Sequence, residues 1–336
     1  TAKDGKAKFD LHQFDPEYFA RLRQRVEAAG RKGIYVSVML FEGWAAQFTD
    51  AWDYHPFNGP NNVNAIDADD KGVGYFTLPS TPMGKQVLAL QEAYVKKVID
   101  SVNDLDNVLY EICNESGGFS TEWQYHLIRL VKQYELQKSK QHPVGMTFQY
   151  KGGTNAMLFE SPADWISPNP GNGNESYRDN PPSAYRGKVI VSDTDHFWGH
   201  TGGDALWVWK SFCRGLNVLF MEELTRSPTW QDSAREGMGQ VRRYAEKMNL
   251  AATVPADALS QTKYCLAERG KEYLVFQSGS QGEFTLNLSD APGSFSVEWF
   301  SIRKGTPVSA KAIEGGAVRT FTTPFGGPAV LYLKRQ

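Results

Sequence analysis

The chain has 336 residues, 41% of them hydrophobic and 22% charged, which is enough for one large globular domain and a smaller one. Its 36 basic and 38 acidic residues leave a net charge of −2, which gives no electrostatic basis for binding nucleic acid or an anionic membrane. No apolar run reaches the roughly 18 residues that a membrane-spanning helix needs. The composition therefore favours a neutral partner, with no nucleic acid and no membrane involved.

The cysteines and the first residues of the chain set two further limits. Cys113, Cys213 and Cys265 are too few and too widely spaced for a disulfide framework, and no pair has metal-ligand spacing, so we expect three free thiols. Residues 1–6 do not form a signal peptide and are typical of a loop. We therefore expect the chain to begin within a fold.

The first part of the chain predicts a helix, a strand and a long loop. An Asp-Pro pair at 15–16 starts an amphipathic pattern that ends at Gly30, which predicts a helix. Residues 34–41 follow and are almost all apolar or β-branched, as in a parallel strand that is covered on both faces. The polar stretch 42–83 predicts a long loop, often a functional one, before a second helix at 87–102.

An apolar strand that closes on an Asn-Glu pair is the most informative segment of the sequence. Residues 108–113 are largely apolar apart from Glu111, and Asn114 and Glu115 then lead directly into a Ser-Gly-Gly loop. The pattern predicts an amide and a carboxylate at the carboxyl end of a strand. Parallel α/β folds keep their active sites at that edge.

Strands and helices continue to alternate beyond this segment. Strands are predicted at 144–150, 164–169, 188–196 and 217–223, and helices at 121–138, 206–210 and 235–248. With the two earlier strands this makes six, the pattern of a parallel α/β fold. Six is two fewer than a closed (β/α)8 barrel contains, and a fold that needs only six strands is the alternative.

The sequence changes character after Pro255. Five runs of alternating residues, separated by turns rich in glycine and serine, predict a small all-β module, most simply a β-sandwich. The runs span 263–268, 272–277, 283–288, 296–300 and 329–333. We place the boundary between a barrel at 1–254 and a β-sandwich at 255–336.

Residue alternation ranks the acidic residues near the strand tips. Glu111 and Glu115 share one strand face, but Glu111 lies about two pleats deeper and there needs a partner, so we assign it to structure and Glu115 to proton transfer. Asp193 and Asp195 share a face of the strand at 188–196, and Asp195 reaches about the level of Glu115, which makes it the better partner carboxylate. A helix-capping role for Glu115, and loop bonding or cation binding for the aspartates, are the alternatives.

Side chains suited to binding a sugar ring follow several of the predicted strands. Aromatic rings stack on sugar faces, and amide, imidazole and carboxylate groups bond hydroxyls. The candidates are Trp44, His55, Gln149, Tyr150, Asn169, His196, Trp198 and Glu222. The Asp-x-Asp-His sequence at 193–196 also resembles half of a metal site, but no second cluster has matching spacing, so we predict no metal.

Three segments, 33–41, 110–115 and 192–196, resemble bacterial glycoside hydrolases of the cellulase-like (β/α)8 clan. The segment 297–305 is similar to the collagen-binding-type β-sandwich domain that is often joined to those barrels. The likeness implies that the Asn-Glu strand is the fourth of the barrel. Strands three to eight would then be visible, and the first two would be missing from this chain.

The resemblance also implies roles for individual residues. Glu115 would be the general acid/base, Asn114 the amide that bonds the sugar 2-hydroxyl, and the carboxylate of strand seven the nucleophile. The clan normally has Glu at that last position, where this chain offers Asp193 and Asp195. Retaining glycosidases hold the two carboxyl groups about 5–5.5 Å apart and inverting ones about 6.5–9.5 Å, a distance that the sequence leaves open.

We therefore predict a glycoside hydrolase that cleaves O-glycosidic bonds in a poly- or oligosaccharide by a two-carboxylate mechanism, with retention favoured over inversion. No organic cofactor is predicted, because the sequence has no dinucleotide fingerprint or phosphate loop. A secreted or periplasmic location follows from the substrate class. The alternative is a non-catalytic carbohydrate-binding or cell-surface adhesion protein on a barrel scaffold.

Overall fold

The computed structural model describes residues 1–68, 72–172, 175–184, 187–200, 202–221, 232–279 and 282–336. The chain separates into two compact units, Thr1–Ser167 and Pro168–Gln336. The boundary between residues 254 and 255 stays a prediction.

Parallel strands and helices alternate along the first unit. Its strands are β1 (Val36–Glu42), β2 (Val108–Asn114), β3 (Val144–Thr147) and β4 (Trp165–Ser167), which lie in the order β1-β2-β3-β4. Its helices are α1 (Pro16–Gly30), α2 (Trp44–Phe48), α3 (Pro82–Val102), α4 (Thr121–Glu135) and α5 (Asn155–Glu160). The predicted first helix is α1, which the Asp15 side chain caps by accepting the Glu17 N–H.

Strand β1 differs from the strand predicted at 34–41. Ile34 and Tyr35 precede it and are 55% and 66% exposed, and Met39 within it is also exposed, so the expectation of cover on both faces is wrong. Val38 and Leu40, on the other face, are buried. Among the described residues β1 pairs with β2 alone, so one of its edges has no neighbouring strand in this unit.

A buried ion pair joins the end of α4 to the segment before β3. Glu135 accepts hydrogen bonds from the His142 backbone N–H at 2.7 Å and from the His142 ring at 2.8 Å. The second ring nitrogen of His142 donates to the Leu105 carbonyl at 2.8 Å. Because both ring nitrogens face acceptors, the hydrogen bond with Glu135 raises the pKa of His142 and favours the charged imidazolium.

This pair predicts a pH-dependent stability. A raised pKa in the folded state means that the His142 contribution is complete below the unfolded value of about 6.5 and is lost as pH rises through the folded value. The difference in free energy of unfolding between the wild type and His142→Asn should therefore be largest near pH 5–6. It should shrink as the pH rises through the raised pKa of His142. Denaturant unfolding across pH 5–9 measures this, with His12→Asn as the exposed control. A difference that stays constant with pH would contradict the pairing.

The second unit begins with a short antiparallel strand pair, which is followed by parallel strands that alternate with helices. Strand β5 (Gly171–Asn172) pairs antiparallel with β6 (Glu175–Ser176), and β7 (Val189–Asp193) pairs parallel with β8 (Asn217–Leu219). The helices are α6 (Thr194–Trp198), α7 (Ala205–Cys213) and α8 (Asp232–Lys247). The strand predicted at 188–196 therefore ends at Asp193, and the Glu222 predicted to follow β8 lies outside the described residues.

Antiparallel sheets complete the second unit. The strands are β9 (Val254–Pro255), β10 (Cys265–Glu268), β11 (Glu272–Gln277), β12 (Glu283–Asn287), β13 (Ser294–Ser301), β14 (Thr306–Glu314), β15 (Val318–Thr322) and β16 (Ala329–Arg335). One sheet has the order β14-β13-β16-β11-β10-β9, and β12 pairs with β15 in the other. Parallel strands that alternate with helices, followed by antiparallel sheets, confirm the predicted fold class of an incomplete (β/α)8-type barrel with a β-sandwich. All three cysteines are buried free thiols, as predicted.

Two apolar cores cover the two faces of the larger antiparallel sheet. One lies between the sheets and includes Phe284 and Trp299. The other lies between the sheet and the helices α7 and α8, where Trp209 packs against Tyr244 and Phe300 at ring-centroid distances of 5.5 and 6.0 Å. The β-sandwich therefore shares a core with two helices of the preceding α/β region.

Trp209 gives a direct test of this shared core. Trp209→Ala should lower the free energy of unfolding by about 3–5 kcal/mol, because it removes a fully buried ring and the indole hydrogen bond to Gln240. Denaturant unfolding followed by circular dichroism measures the change. Trp44→Ala, which removes a ring that is 40% exposed, is the control and should change stability by about 0.5 kcal/mol or less. Equal effects of the two substitutions would contradict the assignment.

Candidate active site

The carboxyl ends of β1 and β2 are held side by side. Glu42 and Asn114 are partners in the parallel register, and the Gly43 N–H donates to the Asn114 carbonyl at 2.9 Å. A Cβ at Gly43 would lie 2.6 Å from the Cα of Ser116, so only glycine allows the loops after the two strands to approach this closely.

Glu115 follows the last residue of β2, at the strand tip where the sequence predicted it. Its φ of 40° is in the left-handed region, which residues other than glycine seldom adopt. This conformation costs on the order of 1–3 kcal/mol and occurs often at functional sites. The backbone therefore leaves the strand abruptly at the residue that carries the candidate catalytic carboxylate.

Glu42 fixes the orientation of the Asn114 side chain. The Asn114 Nδ2 donates to the Glu42 carboxylate, whose oxygens lie 3.1 and 3.2 Å away, and the Ala45 N–H donates to the same carboxylate at 2.9 Å. With Nδ2 facing Glu42, Asn114 offers its Oδ1, a hydrogen-bond acceptor, to other groups. Glu42 was not among the predicted site residues, although its position at the end of an apolar strand is the same signal that identified Glu115.

Glu111 lies deeper in β2 and is buried, as its place in the strand predicted. The Thr147 hydroxyl on β3 lies 3.2 Å from Glu111 Oε1 and 3.1 Å from the Cys113 carbonyl oxygen. This setting agrees with a structural role for Glu111.

Two glutamine side chains hold the loop that follows Glu115. Gln47 accepts the Gly117 N–H and donates to Ser116, each at 3.2 Å. Gln149 donates to the Gly117 carbonyl at 3.2 Å and to Ser120 at 2.9 Å. Gln149 is only 1% exposed, and its contacts place it behind this loop, so we assign it to holding the loop and not to binding a substrate.

Trp44 and Tyr150 form an exposed aromatic surface with Phe48. Trp44 and Phe48 lie on α2 with ring centroids 6.3 Å apart, and Phe48 meets the Tyr150 ring edge-on at 5.2 Å. The Lys151 ammonium lies 4.6 Å from the Phe48 centroid. Exposed rings of this kind can stack against the apolar face of a sugar.

His55 is packed among aromatic rings. It stacks on Trp52 at 4.7 Å and meets Tyr75 edge-on at 4.8 Å. Burial lowers the pKa of His55 to about 4, so the ring is neutral near pH 7. Its Nδ1 accepts the Phe57 N–H at 3.2 Å, which leaves the proton on Nε2 as a donor.

In the second unit, Asp193 closes β7 and caps α6. The Asp193 side chain accepts the Asp195 N–H at 2.9 Å, and burial raises the pKa of Asp193. Asp195 lies in the first turn of α6, so the strand alternation that favoured it over Asp193 is wrong. A side-chain cap ends the strand at Asp193, three residues before the predicted end at 196.

The other predicted site residues of the second unit have local partners. Burial lowers the pKa of His196, so its imidazole is held neutral beside the two aspartates. Trp198 packs edge-on against Trp207 at 5.2 Å, and Asn169 Oδ1 accepts the Gly171 N–H at 2.8 Å. Their predicted contacts with a substrate stay predictions.

The described part of the chain contains neither a metal-binding cluster nor a membrane-spanning helix. There, no group of three or more His, Cys, Asp and Glu side chains is placed to hold a metal ion. No helix in the described ranges is both long and apolar enough to cross a membrane.

The C-terminal residues match a known protein family. Residues 252–329 match the family model described as "Putative collagen-binding domain of a collagenase". This agrees with the kind of domain that the sequence resemblance indicated. A comparison of the whole chain with curated proteins finds no match.

Solved structures that share the fold include several glycoside hydrolases. A "putative glycoside hydrolase" from Bacteroides vulgatus has a TM-score of 0.62 and 15% identity, over 99% of this chain and 66% of its own. A family 5 glycoside hydrolase from the same organism has a TM-score of 0.56 and 12% identity, over 96% of this chain and 86% of its own. A third, described as a glycoside hydrolase, has a TM-score of 0.54 and 10% identity, over 95% of this chain and 89% of its own. At these identities the likeness establishes the fold, and it confirms the resemblance drawn from the sequence at that level.

The contact between Glu42 and Asn114 predicts the behaviour of a charge variant. Asn114→Asp places a second carboxyl about 3 Å from Glu42, and because two carboxylates so close resist joint ionisation, one pKa of the pair should rise clearly above the ordinary value of about 4. Carbon-detected NMR titration measures this. In Asn114→Asp/Glu42→Gln the Gln amide can donate to the new carboxylate, so the rise should disappear. Two ordinary titrations in the single variant would show that the side chains do not meet.

Proposed function

We propose that this chain is a glycoside hydrolase that cleaves O-glycosidic bonds in a poly- or oligosaccharide, with Glu115 as its general acid/base. The observation that carries the proposal is the carboxylate at the tip of a parallel strand, next to an amide whose orientation Glu42 fixes. In (β/α)8 folds the catalytic groups lie at this end of the strands. The fold shared with glycoside hydrolases supports the same reaction class.

In the proposed reaction Glu115 donates its proton to the glycosidic oxygen as the bond to the anomeric carbon breaks. Asn114 accepts a hydrogen bond from a sugar hydroxyl through Oδ1, because its Nδ2 is occupied by Glu42. The hydrogen bonds from Gln47 and Gln149 to the loop after Glu115 support a fixed position for the carboxylate. Groups that are held in place before the reaction lower its barrier, because they lose little further entropy in the transition state.

The second carboxylate is proposed to come from the end of β7. Asp193 is our first candidate because it is the residue that ends the strand, whereas Asp195 lies on α6. In a retaining reaction this carboxylate attacks the anomeric carbon to form a glycosyl-enzyme, and water then hydrolyses that intermediate to release the sugar and the free carboxylate. In an inverting reaction it removes a proton from the attacking water. We favour retention, as the resemblance implies.

The first test is the hydrolysis of a panel of aryl glycosides by Glu115→Gln. With a poor leaving group that needs protonation, its kcat/KM should fall by about 10²–10⁴, the usual contribution of general acid catalysis. With a dinitrophenyl leaving group, which departs without a proton, the loss in the bond-breaking step should be much smaller. Glu122→Gln, an exposed carboxylate on α4, is the matched control and should keep its activity.

Asp193→Asn and Asp195→Asn identify the second carboxylate. We expect the larger loss of activity in Asp193→Asn, and NMR of the first-formed anomer of the product distinguishes retention from inversion. If kcat/KM of Glu115→Gln fell equally for the poor and the dinitrophenyl leaving groups, Glu115 would not be the general acid. Sugar binding without hydrolysis of any substrate would favour the alternative function, a carbohydrate-binding or adhesion protein.

We also propose that the protein acts outside the cytoplasm, in the periplasm or the medium. The reason is the substrate class, since enzymes that degrade polysaccharides generally encounter them outside the cell. Fractionation of the source cells tests the location, and protein confined to the cytosolic fraction would contradict it.

A further inference from the structure

A cavity of about 350 Å³ lies in the first unit beside the end of β1. Its walls come from residues 9–14, the last residues of β1, helix α2 with the segment that follows it to residue 57, Tyr75 and helix α3. Glu42 lines it, and Glu42 also holds Asn114, so the cavity adjoins the tip of the Asn-Glu strand. Its volume is at the lower end of the range for small-molecule sites, about 300–1,000 Å³, which suits one or two sugar rings.

Aromatic rings form much of the cavity wall. Tyr75 is central to them, with ring centroids 5.0 Å from Phe57, 4.8 Å from His55 and 6.1 Å from Phe41. These rings brace one another, so the wall is rigid and apolar. Such a wall fits the C–H face of a pyranose or furanose ring.

The polar groups of the cavity are suited to hydroxyls. Asp10 and Glu42 supply carboxylate acceptors, and the hydrogen bond from Asn64 lowers the pKa of Asp10, which keeps it ionised. The neutral His55 supplies a donor through Nε2, because Nδ1 is occupied by the Phe57 N–H. A sugar hydroxyl both donates and accepts, so it can pair with groups of either kind.

The charges of the cavity have one sign. Among the described residues that line it, two are carboxylates and none is lysine or arginine. The imidazole of His55 adds no positive charge near pH 7 because burial keeps it neutral. A ligand carboxylate or sulfate in this cavity would face like charge without a compensating cation.

From these observations we infer that the cavity binds a ring of an uncharged sugar and rejects uronic acids and sulfated sugars. The inference rests on the proposed glycoside hydrolase function. It narrows that function to substrates whose sugar unit in this cavity is uncharged. The aromatic wall provides the binding surface, and Asp10 and Glu42 provide the discrimination.

The test uses the full-length Glu115→Gln protein and ligand-observed NMR with methyl glycosides. Each neutral glycoside is paired with its uronic acid, namely glucose with glucuronic acid, galactose with galacturonic acid and mannose with mannuronic acid. We expect at least one neutral glycoside to bind at millimolar concentration, and its acidic counterpart to bind at least about tenfold more weakly. Asp10→Asn/Glu42→Gln should narrow that ratio, whereas Asp50→Asn/Glu122→Gln, which removes the same two charges outside the cavity wall, should not.

A second variant shows where the sugar binds. Ala51→Trp fills the cavity and should abolish binding of the neutral glycoside, whereas Ala156→Trp, on the exposed face of α5, should not. Thermal unfolding confirms that both variants are folded. Binding that survives Ala51→Trp, a uronic acid that binds as well as its neutral partner, or no neutral sugar bound would each overturn the inference.

These outcomes separate the inference from the proposed function. If the Ala51→Trp variant hydrolyses substrate as fast as the wild type, the cavity assignment alone is overturned. If the wild type hydrolyses no substrate but neutral sugar binding is lost in Ala51→Trp, the proposed reaction is overturned. The cavity assignment then stays in place.

Discussion

The candidate site of the first unit depends on the parallel register between β1 and β2. That register places Glu42 opposite Asn114, and the Gly43 N–H bonds the Asn114 carbonyl at the point where both strands end. A shift of one residue would point every side chain of β1 to the other face and would separate Glu42 from Asn114. The glycine at position 43 maintains the close approach, because a side chain there would collide with Ser116. Backbone pairing therefore places the Glu42 side chain where its carboxylate orients the Asn114 amide.

Two glutamine side chains bond the loop that follows Glu115, the residue with the unusual backbone conformation. The positive φ of Glu115 is unfavourable, and the surrounding contacts must supply the energy that holds it. Gln47 and Gln149 bond the backbone of Gly117 from two sides, which satisfies polar groups that burial would otherwise leave without partners. The polar residues near the strand tip thus divide into two groups. Glu42 and Asn114 bond each other at the strand ends, and the glutamines bond the loop that follows Glu115.

The sequence predicted the features that arise from local pattern and missed those that arise from contacts between distant segments. An apolar run that ends in a carboxylate was enough to place Glu115 at a strand tip. The same reasoning extended the strand past Asp193 wrongly, because alternation cannot show that the Asp193 side chain would cap a helix and end the strand. Glu42 became a candidate only when pairing placed it beside Asn114. Strand β14 was missed because it is exposed along nearly its whole length and its small residues give only a weak apolar alternation.

The C-terminal sheet shows how a change in sequence pattern can differ from a break in packing. In β11, Tyr273 and Val275 face the core shared with β12 and β15, while Leu274 and Phe276 face the core shared with α7 and α8. A β-sandwich with free outer faces alternates apolar and polar residues, whereas this strand is apolar at all four positions because both of its faces are covered. Tyr244 and Lys247 of α8 also bond Glu298 of β13, at 2.8 and 2.9 Å. The pattern near Pro255 therefore marks where helices give way to strands, while the hydrophobic core continues across that point.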